Sequence, residues 1–177
     1  MAPEYTLYKN YPIYLYSSLH LSPLLSRFGT YATMRPPMRR VNYRVGDLVE
    51  VCIKDEGFWG SYFEAKIVAC LENGEYVVRY KNLLEDDESG PLEETLLSKD
   101  LRPIPPSVQN PPEFQLNQKV DVFCNDGWWL GKITSNKVFR RNHYYIWVYF
   151  PTIPIRRLCR CDRIRVHHEL SGGDWII

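Results

Sequence analysis

The hexapeptides "YFEAKI" (Tyr62–Ile67) and "WWLGKI" (Trp128–Ile133) share one outline: two rings, two intervening residues, then Lys-Ile. Ahead of them, "YRVGDLVEV" (Tyr43–Val51) parallels "FQLNQKVDV" (Phe114–Val122), each an aromatic followed by a turn and alternating apolar residues. Behind them, "GEYVVRY" (Gly74–Tyr80) parallels "HYYIWVY" (His143–Tyr149), and "SKDLRP" (Ser98–Pro103) and "RCDRIRV" (Arg160–Val166) close the copies. Recurrence in the same order marks one structural unit built twice, at about sixty residues per copy.

The segments within each copy are short, rich in β-branched and aromatic residues, and alternate with period two, which predicts strands. Val49, Val51 and Ile53 share one face, and Val120, Val122 and Cys124 repeat it. The Asn-Gly of "ENGE" (Glu72–Glu75) predicts a type I′ hairpin turn. Sustained helical periodicity is missing, and "LEETLLSKDL" (Leu92–Leu101) offers one helical turn at most. The expectation is an all-β chain: two small, strongly bent, five-stranded antiparallel barrels in tandem, over residues 41–103 and 114–177. Between them lies a linker, residues 104–113; five prolines between Arg102 and Phe114 favour an extended, semi-rigid connector.

Residues 1–40 contain one acid, Glu4, among scattered Ser and basic residues. They read as an unstructured or misassigned leader, with Met34 or Met38 as an alternative start, in preference to an organelle-targeting peptide. No apolar run reaches membrane-spanning length, so no membrane partner is expected. Five cysteines without a clustered framework predict free thiols in a reducing compartment. Cys159 and Cys161 lack the spacing of a zinc knuckle, and no metal or cofactor site is expected. The sequence has no nucleophile elbow and no Gly-rich phosphate loop, so a binding module is expected rather than an enzyme.

The formal charge of +1 conceals a partition. Residues 41–112 carry seven basic and fourteen acidic side chains, while residues 113–177 carry ten basic and six acidic ones. An acidic first copy suits a basic peptide. The basic second copy, with Arg140, Arg141, Arg156 and Arg157, suits phosphates, so RNA or DNA is the alternative partner, with aromatic side chains stacking on bases. A third reading is a protein-interaction scaffold.

The rings bear on the first of these. Strand parity sends Phe63 and Trp129 to the core, and leaves Tyr62 and Trp128 pointing the other way. Trp59, Tyr62 and Tyr80 fall at strand ends or in the loop before them, where converging ring faces would attract a methylated ammonium. The acidic loop "LLEDDESG" (Leu83–Gly90), with Glu85, Asp86, Asp87 and Glu88, would supply a carboxylate for a remaining N–H. Matching the copies pairs Tyr80 with Tyr149.

"GDLVEVCIKDEGFWGSYFEAKIV", "YVVRYKNLLEDDESGPLEETLLSKDLRP" and "KVDVFCNDGWWLGKI" together resemble the plant Agenet domain, a Tudor-like member of the Royal group, in a tandem pair from about Tyr43 to Ile177. The closing stretch "FPTIPIRRLCRCDRIRVHH" (Phe150–His168) is more basic than is usual in that family. The resemblance implies two docked Tudor-like barrels in a nuclear, non-enzymatic chromatin reader, with the cytoplasm as the runner-up location. It implies binding of a methylated histone H3 tail, often at a heterochromatic dimethyl-lysine, alongside other chromatin proteins. Carried onto this chain, the cage uses Trp59 or Phe58 with Tyr62 and Tyr80, and Asp86 or Asp87 beside it. Asn125, Asp126, Trp128 and Tyr149 occupy the matching places of the second copy.

Overall fold

The computed structural model describes residues 41–54, 57–107 and 113–177. The leader assigned to residues 1–40 and residues 108–112 of the expected linker lie outside the described residues. The first repeat contains β1 (Leu48–Ile53), β2 (Ser61–Cys70), β3 (Glu75–Leu84), β4 (Pro91–Leu97) and, after a 3-10 turn at Ser98–Asp100, β5 (Leu101–Pro103). The second contains β6 (Lys119–Cys124), β7 (Gly127–Ile133), β8 (Val138–Arg140), β9 (His143–Phe150) and β10 (Ile155–Arg160). A second 3-10 turn, Cys161–Arg163, leads into β11 (Ile164–Val166), and the chain ends in a hairpin of β12 (Glu169–Ser171) and β13 (Asp174–Ile176).

Strand order reproduces the duplication. The first repeat runs β5-β1-β2-β3-β4 and the second β11-β6-β7-β9-β10, with β8 added on β9, all antiparallel. Alternation decides which side chains face inward. Val49 and Val51 meet Phe63, Ala65 and Ile67, then Tyr76, Val78 and Tyr80, and all are buried. Val120 and Val122 meet Trp129 and Ile133, then Ile146, Val148 and Phe150, in the same order. Gly131 takes the place of Ala65, because a Cβ there would lie 2.4 Å from Val148 Cγ1.

Three expectations are corrected. The repeats are not separate barrels: β2 pairs with β7 through Ser61↔Trp129 and Tyr62↔Trp128. The described strands thus form one open eleven-stranded sheet plus the terminal hairpin. Buried residues of both repeats belong to one apolar cluster.

The second correction concerns Tyr80. Ile67 lies opposite Val78, and Ile133 opposite Val148. Tyr80 therefore corresponds to Phe150, and Tyr149 to Arg79, one residue away from the match made on sequence alone. A string of consecutive rings permits either alignment, and only cross-strand register distinguishes them.

The third correction concerns turns. Asn73 keeps a negative φ; Gly74 N donates to Leu71 O at 3.0 Å and only Gly74, at φ 83°, is left-handed. That is a longer loop closed by a glycine rather than a type I′ turn. Positive φ at both central residues occurs instead at Asn125–Asp126, between β6 and β7, and at Arg141–Asn142, between β8 and β9.

Candidate functional site

The outward faces of β1 and β6 carry one acid each, Glu50 and Asp121, and both are fully buried. Each is opposite an arginine on the short closing strand of its own repeat: Glu50↔Arg102 and Asp121↔Arg165. The pairs then cross. Arg102 Nη2 lies 2.6 Å from Glu50 and 3.8 Å from Asp121, while Arg165 reaches Asp121 at 3.1 Å and Glu50 at 2.7 Å. His167 Nδ1 lies 2.6 Å from the other Asp121 oxygen, and Arg102 Nη1 donates to His168 O at 2.9 Å. Two buried carboxylates thus share two guanidinium groups across the seam of the repeats, which compensates charges that alone would be costly to bury.

The guanidinium groups also lie on the rings predicted as cage walls. Arg102 sits 3.3 Å from the Tyr62 ring centroid, and Arg165 sits 4.0 Å from that of Trp128. Burial pushes the Tyr62 phenol up to about 12, against a smaller lowering by Arg102. Trp128 donates its indole N–H to Glu64 at 3.2 Å, and Lys81 reaches the same carboxylate at 2.6 Å. Partial burial would raise the Glu64 pKa, but those two hydrogen bonds outweigh it and hold the carboxyl below its usual range.

The other predicted cage residues separate. Tyr80 is only 3% exposed and its ring belongs to the core, while its hydroxyl donates to Glu94 at 2.5 Å; burial and that carboxylate push the phenol well above its usual range. Tyr80 therefore cannot line an open cage with Tyr62, whose free face Arg102 already occupies. Phe58 is half-buried, 5.7 Å from Trp129, and Phe63 meets the same indole edge-on at 6.3 Å. A Cβ on Gly127 would come within 2.8 Å of Phe63, so the seam requires glycine there.

Trp59 stays outside, 68% exposed. Its loop is fastened to the second repeat: Leu130 N donates to Gly60 O at 3.0 Å, and Thr152 Oγ1 to Trp59 O at 2.5 Å. Gly57 and Gly60 take φ of 84° and 78°, which lets the loop turn there. Asp86, Asp87 and Glu88 are exposed. Glu85 accepts from Glu93 N at 3.2 Å, and hydrogen bonds from Ser89 hold the Asp87 carboxyl below its usual range.

In the second repeat, Asn125 and Asp126 are exposed turn residues and Trp128 serves the seam, so they do not frame a cage with Tyr149. Tyr149 is 38% exposed on the outer face. The four arginines also divide. Arg140 and Arg141 are exposed at the β8–β9 turn, and Arg156 lies on the outer face opposite Tyr149. Arg157, opposite buried Val148, faces the other way.

Reading the sequence alone missed Glu50, Arg102, Asp121, Arg165 and His167. One signal was available: an acid between two core valines in both copies, in "VEV" and "VDV", with an arginine at matched places in the closing "DLRP" and "RIRV".

Residues 46–106 match the Agenet domain family. The chain is 31% identical over 130 residues to the AGENET DOMAIN (AGD)-CONTAINING P1 protein of Arabidopsis thaliana and 33% identical over 134 residues to DUF724 domain-containing protein 3 of the same plant. Each alignment covers 73% of this chain, but the chain spans only 24% and 19% of those relatives. The crystal structure of Arabidopsis thaliana AGDP1 AGD34 matches with a TM-score of 0.68 at 30% identity, over 75% of this chain and 87% of that one. The tandem Agenet domain 3-4 of ADCP1 matches with a TM-score of 0.64 at 27% identity, over 75% and 85%. The family fold is that of a binding module, and this chain, with its paired Tudor-like repeats, belongs to the Agenet domain family.

Proposed function

We propose that this chain is a nuclear, chromatin-associated module whose first repeat reads a methylated lysine on the histone H3 tail, a heterochromatic dimethyl-lysine being the preferred mark. The observation that carries this reading is Trp59, an indole 68% exposed on the acidic repeat. A methylated ammonium is attracted to an indole face and loses less hydration than an unmodified lysine on reaching it. The exposed carboxylates of Asp86, Asp87 and Glu88 favour a basic peptide on the same repeat. With Tyr62 and Tyr80 withdrawn, the site centres on Trp59, with Phe58 beside it.

Calorimetric titration with unmodified, mono-, di- and trimethylated H3 peptides tests the reading. The methylated peptide binds more tightly than the unmodified one, and Trp59→Ala reduces that preference roughly 2- to 30-fold. Binding no tighter than millimolar, or equal affinity for methylated and unmodified peptide, overturns it. The burial of Tyr80 and the occupation of Tyr62 by Arg102 favour a second reading, a protein-interaction scaffold in which most rings serve the fold. Under that reading Trp59→Ala leaves peptide binding unchanged.

A further inference from the structure

Between Lys132 and Arg160 the sequence carries seven basic residues and no acid. This stretch builds the outer face of the second repeat, around β9. Parity sends Ile146, Val148 and Phe150 into the core and turns Tyr145, Trp147 and Tyr149 outward. Trp147 and Tyr149 are 37% and 38% exposed. Side chains on one face of a strand stand about 7 Å apart, so these three rings form an evenly spaced row.

Cations flank the row. Register places Lys132 of β7 on one side of Tyr149 and Arg156 of β10 on the other. Arg156 is fixed across the strand: its Nε donates to Thr134 Oγ1 at 2.9 Å, and its guanidinium carbon lies 4.9 Å from the Trp147 ring centroid. Arg160, beside Tyr145, is paired with Asp162 at 2.5 Å, so its charge is partly spent. Strand β10 pairs only with β9 among the described strands, so the face runs to an open edge.

A methylated ammonium would be repelled from this face, because its nearest fixed charges are positive. An acidic peptide would satisfy those charges and leave the rings without planar partners. A single-stranded nucleic acid satisfies both, since every base has a face to stack and every nucleotide a phosphate. A duplex keeps its bases stacked on one another and away from such a row. We propose that the outer face of β9 binds single-stranded nucleic acid, with bases stacking on Trp147 and Tyr149 and phosphates meeting Lys132 and Arg156. This surface is distinct from Trp59 and does not depend on the peptide reading.

Fluorescence anisotropy of the full chain with labelled short oligo(U), oligo(dT), a duplex of equal length and an acidic peptide tests it, over a series of salt concentrations. Single strands of either kind bind better than duplex. Trp147→Ala weakens binding roughly 5- to 150-fold. Lys132→Gln and Arg156→Gln, both at exposed positions, each reduce the salt slope by about 0.7. Trp59→Ala changes nothing here, which separates this surface from the peptide site. The proposal is overturned by no binding at low salt, by equal binding of duplex, or by tighter binding of an acidic peptide. Affinity that survives both Trp147→Ala and Tyr149→Ala overturns it as well.

Discussion

Arg102 does at Tyr62 what a methylated lysine does in a reader cage: it lays a cation on a ring, 3.3 Å from the centroid. Its second task is to neutralise Glu50, whose carboxylate is fully buried. Removing Arg102 leaves Arg165 alone to balance two buried carboxylates where water cannot reach them. Arg102→Ala is therefore expected to cost on the order of 3–5 kcal/mol, read as a lower urea midpoint; a loss below about 1 kcal/mol would match a surface pair instead. At this scale the sequence was half legible. Parity correctly assigned Phe63 and Trp129 to the core, because adjacent residues on a strand must face opposite ways. Tyr62 was also placed on the correct face, yet its partners lie on β5 and in the other repeat, and no local pattern encodes such contacts. Tyr80 was misassigned because it was read as a strand end, whereas β3 runs on to Leu84 and Tyr80 shares the inward face of Tyr76 and Val78.

The elements follow from alternation and turn chemistry. Short apolar alternation was sufficient to find β1, β2, β6 and β7, but the turns were less legible. The Asn-Gly pair did not adopt the predicted conformation, whereas Asn125–Asp126 and Arg141–Asn142 did without a glycine. Register and the twist of the flanking strands demanded left-handed residues there, and Asn and Asp tolerate them best among non-glycines. The strands also determine thiol chemistry. Burial pushes Cys52 on β1 and Cys124 on β6 up to about 11, and Cys159 on β10 up to about 12, from an ordinary 9.0. An acid whose pKa is raised on folding favours the native state fully below its unfolded value, and that contribution is lost as pH rises through the folded one. Stability measured by urea unfolding is expected to fall as pH rises from 9 toward 12, the window set by these thiols. At neutral pH a thiol reagent should label exposed Cys70 first and the other four cysteines more slowly.

At the scale of the molecule, the duplication was legible and the fusion was not. Two copies in sequence suggested two barrels joined by a proline-rich spacer, and the family resemblance implied that they dock, but nothing pointed to a shared sheet. The β2–β7 pairing, the crossed carboxylates and the shared apolar cluster instead make one body of the two. Calorimetry should therefore record a single transition for the paired repeats, with van't Hoff and calorimetric enthalpies equal. Residues 41–107 expressed alone should not give a folded domain, since separation exposes Glu50, Arg102, Phe58 and Phe63 together. Two resolved transitions, or a well-dispersed spectrum from the isolated first repeat, would contradict this.

The seam has one more consequence, which concerns the field around the protein. Because the repeats are joined through paired charges that nearly cancel, the surplus of each is left at the surface: residues 41–112 hold twice as many acids as bases, and residues 113–177 hold ten bases against six acids. A chain with a pI near 7.6 looks electrically indifferent. Fused in this way it behaves as a permanent dipole, which orients in the field of a charged polymer before contact and presents opposite poles to opposite ligands. Ionic strength will govern its encounters far more than its net charge suggests.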